Sequence, residues 1–312
     1  MRVLVTGGAG FIGANLCRQL VATEGVDEVV ALDDLSSGFA ANLEGVPARL
    51  VVGDLVDPAV LDEVLPGITS VVHLGARPSV PRSLEDPMAS HRVNATGTLE
   101  VLEGMRRHGV RHVVVASSSS VYGRNPELPK HEGLVPMPVS PYAVSKLATE
   151  SYALAHASCF DLAAMAFRFF NVFGPLQAAG HAYAAVVPAF VAAALDGEPA
   201  TVHGDGGQTR DFTYVGTVCE VIARAVRDGL ASDRPVNLAF GGRWSLLELL
   251  TALEEVLGHP VERLHVATRA GDVRASQADQ SALRALFPDV TPVELDEGLR
   301  RTVAWFRTGA LA

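Results

Sequence analysis

The chain begins with Arg2-Val-Leu-Val-Thr6 and turns at once into Gly7-Gly-Ala-Gly10-Phe-Ile-Gly13. Apolar residues then recur at helical spacing, at Ile12, Leu16 and Leu20. This pattern predicts strand, tight turn and helix. Gly7 and Gly10 let the backbone turn sharply and come close to a diphosphate, and Gly13 lets helix and strand pack closely. The helix N-terminus offers N–H groups and a partial positive charge to that diphosphate. Glycines alone mark only a turn. Here a strand precedes them, and Asp33 and Asp34 follow about 20 residues on, where a dinucleotide site keeps its acid. The stretch therefore reads as a dinucleotide site.

Strands alternate with helices through the first half. Glu28–Asp33, Arg49–Asp54, Ser70–Gly75 and Arg111–Ser117 read as strands, and Asn94–His108 as a helix. Short apolar runs without alternation suit a parallel sheet covered on both faces. The expected fold class is α/β: a Rossmann-type doubly wound parallel sheet with a smaller C-terminal α/β substrate domain. From Asn171 onward glycines, prolines and shorter elements dominate. The expected division is 1–171 and 172–312, with a strand near 236–239 returning to the first domain. Leu246–Leu257 and Val293–Phe306 read as amphipathic helices.

Ligands of such sheets bind at the carboxyl ends of the strands. Asp33 stands there and can accept hydrogen bonds from an adenosine ribose. Asp34 would repel a 2′-phosphate, and no arginine stands nearby to attract one, which favours NAD over NADP. Asp54 and Leu55 end the third strand and can hold adenine. Each acid can equally be a helix cap.

A formal net charge of −10 argues against a general nucleic-acid surface. Cys17, Cys159 and Cys219 are odd in number, far apart and without metal-ligand spacing. They read as reduced thiols in a cytoplasmic protein with no metal site. The chain starts directly on a strand, so no signal peptide is expected. The longest apolar stretch, Ala182–Leu195, is too short to span a bilayer and contains Pro188, so no membrane partner is expected.

Tyr142-Ala-Val-Ser-Lys146 follows Pro141 at a helix start. Residues four apart share a helix face, so Tyr142 and Lys146 can serve one site. A phenol with a pKa of ~10 is a poor base at neutral pH, and a nearby ammonium lowers it. The tyrosinate can then take a hydroxyl proton while hydride leaves the same carbon. Ser117-Ser-Ser-Ser-Val-Tyr-Gly123 follows a strand and can supply a hydroxyl to the reacting oxygen. Alone, each pattern is weak, since serine runs are often loops.

Taken together and in order, these stretches resemble the extended short-chain dehydrogenase/reductase family, and within it the nucleotide-sugar epimerases and dehydratases. Further motifs carry the likeness: His73-Leu-Gly-Ala76, Arg168-Phe-Phe-Asn-Val-Phe-Gly174 and Gly204-Asp-Gly-Gly-Gln-Thr-Arg-Asp-Phe212. The resemblance covers essentially the whole chain. It implies that Tyr142 is the base, that Lys146 binds the nicotinamide ribose and tunes Tyr142, and that Ser118 is the assisting hydroxyl. It implies cofactor contacts at Phe11, Ile12, Ser36 and Gly38, and at Leu74, Ala76 and Asn94. Asn171, Arg210 and Arg269 would hold the sugar-nucleotide diphosphate, and Asp272 the nucleotide ribose. Ser119, Val187 and Arg82 would also line the substrate site. The implied cofactor is NAD, tightly bound, and the implied substrate is a UDP-sugar.

Similar dehydratases carry an Asp-Glu pair where this chain has Ser119 and Ser120, and decarboxylating relatives carry Glu at the second position. A hydroxyl is no effective proton-transfer group at neutral pH, so the serine loop favours 4-epimerisation. Ser276 takes the place of a tyrosine found in epimerases limited to glucose and galactose, which leaves room for a larger substituent. Ala76–Ser83 and Ala182–Pro188 look like the epimerases of N-acetylhexosamine nucleotides. The expected substrate is UDP-GlcNAc/UDP-GalNAc, with UDP-Glc/UDP-Gal as a further pair. Arg77 and Arg82 keep a glucuronate open, although the Arg-Pro-Asp segment of uronate epimerases is absent. A dehydratase or decarboxylase and a non-catalytic NAD-binding regulator are the rival classes. Gly216-Thr217 stands where the family usually has acids, which puts local packing in question. Similar proteins dimerise through helices at Asn94–His108 and Tyr142–Ser158, so a homodimer is expected; the predicted outer faces carry Leu99, Met105, Leu154 and Ala155, although periodicity does not separate dimer surface from core.

Overall fold

The computed structural model describes residues 1–179, 184–268 and 273–309. The first run holds β1 (Arg2–Thr6), α1 (Phe11–Val21), β2 (Glu28–Asp33), β3 (Arg49–Val52), α2 (Pro58–Val64) and β4 (Ser70–His73). It continues with α3 (Val80–Glu85), α4 (Pro87–His91), α5 (Gly97–His108), β5 (His112–Ser118), α6 (Pro141–Phe160) and β6 (Ala163–Phe169). Helix ends fall where local chemistry puts them. Asp57, Asp86 and Ser140 cap α2, α4 and α6 with their side chains, each followed by a proline. Gly109 ends α5 in the left-handed conformation.

The second run comprises β7 (Asn171–Phe173), α7 (Val186–Asp196), β8 (Ala200–His203), β9 (Thr209–Arg210), β10 (Phe212–Tyr214) and α8 (Val215–Arg227). It ends with β11 (Val236–Leu238), β12 (Trp244–Ser245), α9 (Leu246–Leu257), β13 (Arg263–Val266), α10 (Ser281–Leu286) and α11 (Leu295–Thr308).

Seven strands form one sheet in the order β11-β6-β5-β4-β1-β2-β3. Neighbours from β6 to β3 pair in parallel. Val3, Leu4 and Val5 of β1 and Val29 to Leu32 of β2 are buried, as a sheet covered on both faces requires. Strand order reverses at β1, between β2 and β4, so a crevice opens beyond the carboxyl ends of β1 and β4. Thr6, the last residue of β1, lies in register with Leu32 and His73. The glycine turn leaves the sheet at that point.

The chain divides into two compact units. The first holds Met1–Asn125, Val135–Phe169 and Cys219–Asn237, and with them the large sheet and most of α8. The second holds Pro126–Leu134, Phe170–Val218 and the chain from Leu238 on. The second unit contains three two-stranded sheets: β7 with β10, β8 with β13, and β9 with β12. Its core gathers Phe173, Phe190, Leu250 and Leu299, and Phe173 meets Phe212 and Tyr214 edge-on. The capping box of Ser245 and Glu248 starts α9.

Three details differ from the sequence reading. Residues Arg92–Thr96 form a π-helical turn, and regular α5 begins only at Gly97. Met105, expected to face outward, is fully buried in the core with Leu61 and Leu65. Strand β6, with its mixed Ala, Met and Arg content, was not legible as a strand, yet it pairs along all seven residues with β5. Among the described residues, no helix is long and apolar enough to cross a membrane.

Candidate active site

The glycine turn is a close fit to itself. Gly7 adopts φ +69°, and a Cβ on Gly13 would stand 2.0 Å from the Gly7 carbonyl oxygen. The third glycine of the motif thus packs on the turn itself. Its neighbour Gly8 makes the approach to β2, where a Cβ would meet that of Ala31 at 2.6 Å. Gly10 is the N-cap of α1 and no side chain caps that helix. The first-turn N–H groups around Phe11, Ile12 and Gly13 are therefore left for an external anion. This bare N-terminus, with backbone that admits no side chain, fits the diphosphate of a dinucleotide.

Asp33 is buried at the end of β2. One carboxylate oxygen accepts from the Ala9 N–H at 2.9 Å, the other from the Leu35 N–H at 2.9 Å. Burial raises its pKa, and those two N–H groups pull it down. A carboxylate has about four acceptor positions, so capacity for a ribose is left over. Asp33 thus also ties β2 to the glycine turn, and Gly38 lies against it, with space only for hydrogen. The exposed Asp34 accepts from the Ser36 N–H at 2.9 Å and the Ser36 hydroxyl at 2.6 Å. Asp54 pairs with Arg92 at 3.4 Å on the surface, a weak contact. Leu55 is packing: its methyls fill the spaces where Gly75 and Gly97 would carry a Cβ.

Beneath the ends of β1 and β4 runs a polar chain. Thr6 Oγ1 lies 2.8 Å from His73 Nδ1, and His73 Nε2 lies 3.0 Å from Thr98 Oγ1. Thr98 donates to the Asn94 carbonyl at 2.5 Å, and Thr149 donates to it at 3.0 Å. Thr98 spends its one proton on the Asn94 carbonyl, so it accepts from His73 Nε2–H; the Nδ1 of a neutral His73 then accepts from Thr6, and donation runs one way to Asn94. Burial, then the charge of Lys146, holds His73 neutral, with a pKa pushed down to about 3. The π turn places the Asn94 side chain. It accepts from the Arg77 N–H at 2.7 Å and donates to Ser145 at 2.9 Å. Asn94 thereby fastens the loop after β4 to α6. Leu74 and Ala76, half-buried, begin that loop, and the half-buried Arg82 lies in α3.

Tyr142 and Lys146 sit one turn apart at the start of α6. Lys146 is buried and donates to the Ala116 carbonyl of β5 at 2.8 Å. Burial pushes its pKa down to about 8. Burial also raises the Tyr142 hydroxyl, against the pull of its hydrogen bond with Ser118. The end of β5 therefore meets both residues. Ser120 donates its hydroxyl to Ser118 Oγ at 2.9 Å and its N–H at 3.2 Å. With two donors from Ser120, Ser118 is left to direct its own proton elsewhere. Ser119, half-buried, opens the short turn between them.

Sequence patterns missed the support under α6. Glu150, one turn beyond Lys146, is buried and takes Arg168 of β6 in a fork, at 2.6 and 3.0 Å. Ser117 donates to the same carboxylate at 2.6 Å. Arg168 lies over the Tyr122 ring, whose hydroxyl donates to Asn237 at 2.6 Å. The available signal was the four-residue step from Lys146 to Glu150 together with the arginine of the Arg168–Gly174 motif.

In the second unit, Asn171 begins β7 and Arg210 ends β9, both half-buried. Arg210 donates to the Thr209 carbonyl at 2.8 Å. Val187 is buried in the first turn of α7, and Ser276 is buried with its N–H on the Thr209 carbonyl at 3.1 Å. Arg269 and Asp272 lie outside the described residues, as do Ala182 and Tyr183. The Gly216-Thr217 departure is resolved by packing. Thr217 accepts from the Val293 N–H at 3.0 Å, and Gly216 lies under the Tyr214 ring. Among the described residues, no group of three or more His, Cys, Asp or Glu side chains could hold a metal ion. Cys17 and Cys219 are buried free thiols, and burial pushes Cys17 up to about 12.

The model of the NAD dependent epimerase/dehydratase family matches residues 3–239. A UDP-glucose 4-epimerase of Mycolicibacterium smegmatis is 39% identical over 317 residues, covering 98% of this chain and 99% of its own. The solved structure of a UDP-N-acetylglucosamine 4-epimerase from Methanobrevibacter ruminantium M1, in complex with UDP-N-acetylmuramic acid, is 34% identical, with a TM-score of 0.93 over 99% of each chain. That of a UDP-glucose 4-epimerase from Thermus thermophilus, in complex with NAD, is 36% identical, with a TM-score of 0.89 over 99% of this chain and 100% of its own. Strand order, motif order and likeness along the whole length agree, and this chain belongs to the NAD dependent epimerase/dehydratase family.

Proposed function

We propose that the protein is a 4-epimerase of a UDP-hexose, with UDP-GlcNAc/UDP-GalNAc as its first substrate pair and UDP-Glc/UDP-Gal as its second. The observation that carries this is the serine loop. Ser120 spends its hydroxyl on Ser118, so the place where an eliminating enzyme keeps an acid holds a group that orders the assisting hydroxyl. The 4-epimerases among its relatives support the same class.

Gly7, Gly10 and Gly13 with the α1 N-terminus would hold the NAD diphosphate, and Asp33 the adenosine ribose. Bound there, NAD would supply the chemistry of a hydride acceptor and donor. Tyr142 removes the C4 hydroxyl proton and returns it at the end. Ser118 hydrogen-bonds the reacting oxygen throughout. Lys146 would hold the nicotinamide ribose and, as an ammonium, favours the phenolate that burial alone opposes. Between the two proton transfers the 4-keto sugar turns over and presents its other face. Asn171, Arg210 and Arg269 hold the diphosphate meanwhile, since guanidinium binds phosphate in a fork. Ser276 leaves room for the N-acetyl group.

Purified protein given UDP-GlcNAc, with no added cofactor, should form UDP-GalNAc by chromatography, and Tyr142→Phe should abolish it. If no UDP-hexose is interconverted by protein that carries NAD, the proposal fails. Loss of water or carbon dioxide from the substrate would move it to the dehydratase or decarboxylase class. One observation favours UDP-glucuronate as a second reading: Arg77 Nε is buried with no acceptor among the described residues, beside the loop expected at the sugar. A substrate panel decides between them. A homodimer is proposed through the outer faces of α5 and α6, where Leu99 and Leu154 are half-buried and Val144 and Tyr152 exposed. A monomer by light scattering at micromolar concentration would refute it.

A further inference from the structure

Asp211 stands in the second unit between Arg210 and β10, and none of its surface reaches solvent. Its backbone carbonyl accepts from both the Asn171 N–H at 3.1 Å and the Asn171 side-chain amide at 3.2 Å. One carboxylate oxygen accepts from the Gly241 N–H at 3.0 Å and the Ala278 N–H at 3.1 Å. The other oxygen, buried, has no hydrogen-bond partner among the described residues. Asp211 is therefore the node of three separate segments: the start of β7, the 240–242 turn and the 276–278 segment. Burial pushes its carboxyl up to about 7, although the Ala278 and Gly241 N–H groups pull it down. A bare structural tie between loops needs no buried acid, since a backbone carbonyl can do the same at lower cost.

Further contacts extend the node. Thr209 donates its N–H to the Arg274 carbonyl at 3.0 Å, and the Ser276 N–H returns to the Thr209 carbonyl. Trp244 and Ser245 pair across β9 with Arg210 and Thr209. Asn171, Arg210 and Ser276 thus hang from one residue: Asn171 by its amides, Arg210 by the peptide bond, and Ser276 two residues before the Ala278 N–H.

We propose that Asp211 is a positioning residue for the sugar nucleotide: its carboxylate clamps the 240–242 turn and the 276–278 segment to β9–β10, and so sets Ser276, relative to the Asn171 and Arg210 that its backbone holds, at the spacing a nucleoside diphosphate requires. The proposal rests on the assignment of those three residues to the substrate in the preceding section. Asp211 touches no reacting atom. Removing it loosens the diphosphate site and leaves Tyr142, Ser118 and Lys146 untouched.

The experiment compares wild type, Asp211→Ala and Asp211→Asn in the full-length, NAD-containing protein. Two quantities are read: the Kd of UDP by calorimetry, and KM against kcat for the best hexose of the panel. Asp211→Ala is expected to weaken UDP binding and raise KM by about tenfold or more, with kcat within about threefold and NAD content unchanged. Asp211→Asn keeps an acceptor oxygen for Gly241 and Ala278 and is expected to restore both values to within about threefold of wild type. Should Asp211→Ala fail to fold, Asp211→Glu takes its place, because the longer side chain displaces the acceptor and predicts the same rise. Unchanged UDP affinity in the Ala or Glu variant overturns the proposal. So does an Asn variant as weak as Ala, or a parallel loss of kcat and NAD. The UDP titration needs no turnover, so a wild type that binds UDP but epimerises nothing would sink the 4-epimerase assignment and leave this test standing.

Discussion

In the first unit, Thr6, His73, Thr98 and Thr149 pass hydrogen bonds in one direction to the Asn94 carbonyl, and Ser117, Glu150 and Arg168 close on each other beside them. In the second unit, Thr209 Oγ1, Asp211 Oδ1 and Thr213 Oγ1 follow along β9–β10, buried and without partners among the described residues. The orphaned buried atoms of the first unit among the described residues, Arg18 Nη1, Arg77 Nε, Ser90 Oγ and Arg168 Nη1, are scattered along the chain. Each orphan costs about 1–3 kcal/mol, and native folds carry few. Beneath the proposed catalytic pair, the first unit meets its polar groups from within its own fold, with Arg168 Nη1 the one exception in that network among the described residues. In the second unit, three of the four orphans among the described residues fall within five consecutive residues, where the sugar nucleotide is proposed to bind, and the fourth is Gln177 Oε1. Closed networks hold chemistry in place, and open ones leave capacity for what is to be bound.

The sharpest way to break this contrast is to open the closed side. Glu150→Ala leaves the Arg168 guanidinium buried without its carboxylate and is expected to cost about 3–5 kcal/mol of stability. Unfolding in urea, followed by circular dichroism at matched NAD content, measures it. A loss below about 1 kcal/mol would mean that the network is dispensable and the contrast between units empty.

On the open side the expected effect depends on pH. The Asp211 carboxyl titrates near 7 in the folded chain, against an ordinary value of 3.8. Between these values the folded protein keeps a proton that the unfolded chain releases. The stability from that proton is fully present below about pH 4 and is lost as pH rises through 7. The slope is about 1.4 kcal/mol per pH unit, about 4 kcal/mol in all. Wild type should therefore lose stability relative to Asp211→Asn as pH rises from 5 to 8. Parallel curves for the two proteins would place the Asp211 pKa in the ordinary range.

Local patterns carried much of this into the sequence. A β-branched run ending in glycines, an acid at a strand end and a tyrosine four residues before a lysine are each set by neighbours in the chain, and β1, Asp33 and α6 stand where those patterns put them. What stayed hidden depends on partners far along the chain. Glu150 looked like any helix glutamate until Arg168 came to it from β6, and Met105 gave no sign of which side of α5 was the core. Asp211 was one letter of a recognised motif, while its work is done by the N–H groups of Gly241 and Ala278, 30 and 67 residues away. Backbone donors have no sequence signature, so a carboxylate that serves them is invisible until the chain is folded.

A smaller expected effect tests the open side for selectivity. Ser276→Tyr fills the space proposed for the N-acetyl group and should shift kcat/KM toward UDP-Glc over UDP-GlcNAc by about 10–200-fold. Ser276 is buried, so overpacking should also lower stability by about 1–3 kcal/mol. An unchanged preference in a folded variant would place the N-acetyl group elsewhere.

The smallest effect lies where the two kinds of region are most alike. Ser120 lies in the first unit, and its hydroxyl donates to the proposed assisting hydroxyl. Ser120→Ala removes the O–H donor and keeps the backbone N–H that also reaches Ser118 at 3.2 Å. Ser118 then retains one of its two fixed donors. The loss corresponds to about 1 kcal/mol, or about fivefold in kcat, with KM for the sugar nucleotide unchanged, because the contact orients a catalytic hydroxyl and holds no substrate. A rise in KM at constant kcat would instead make Ser120 a binding residue. The serine loop would then belong with the open side of the molecule, and its hydroxyls would no longer distinguish epimerisation from elimination.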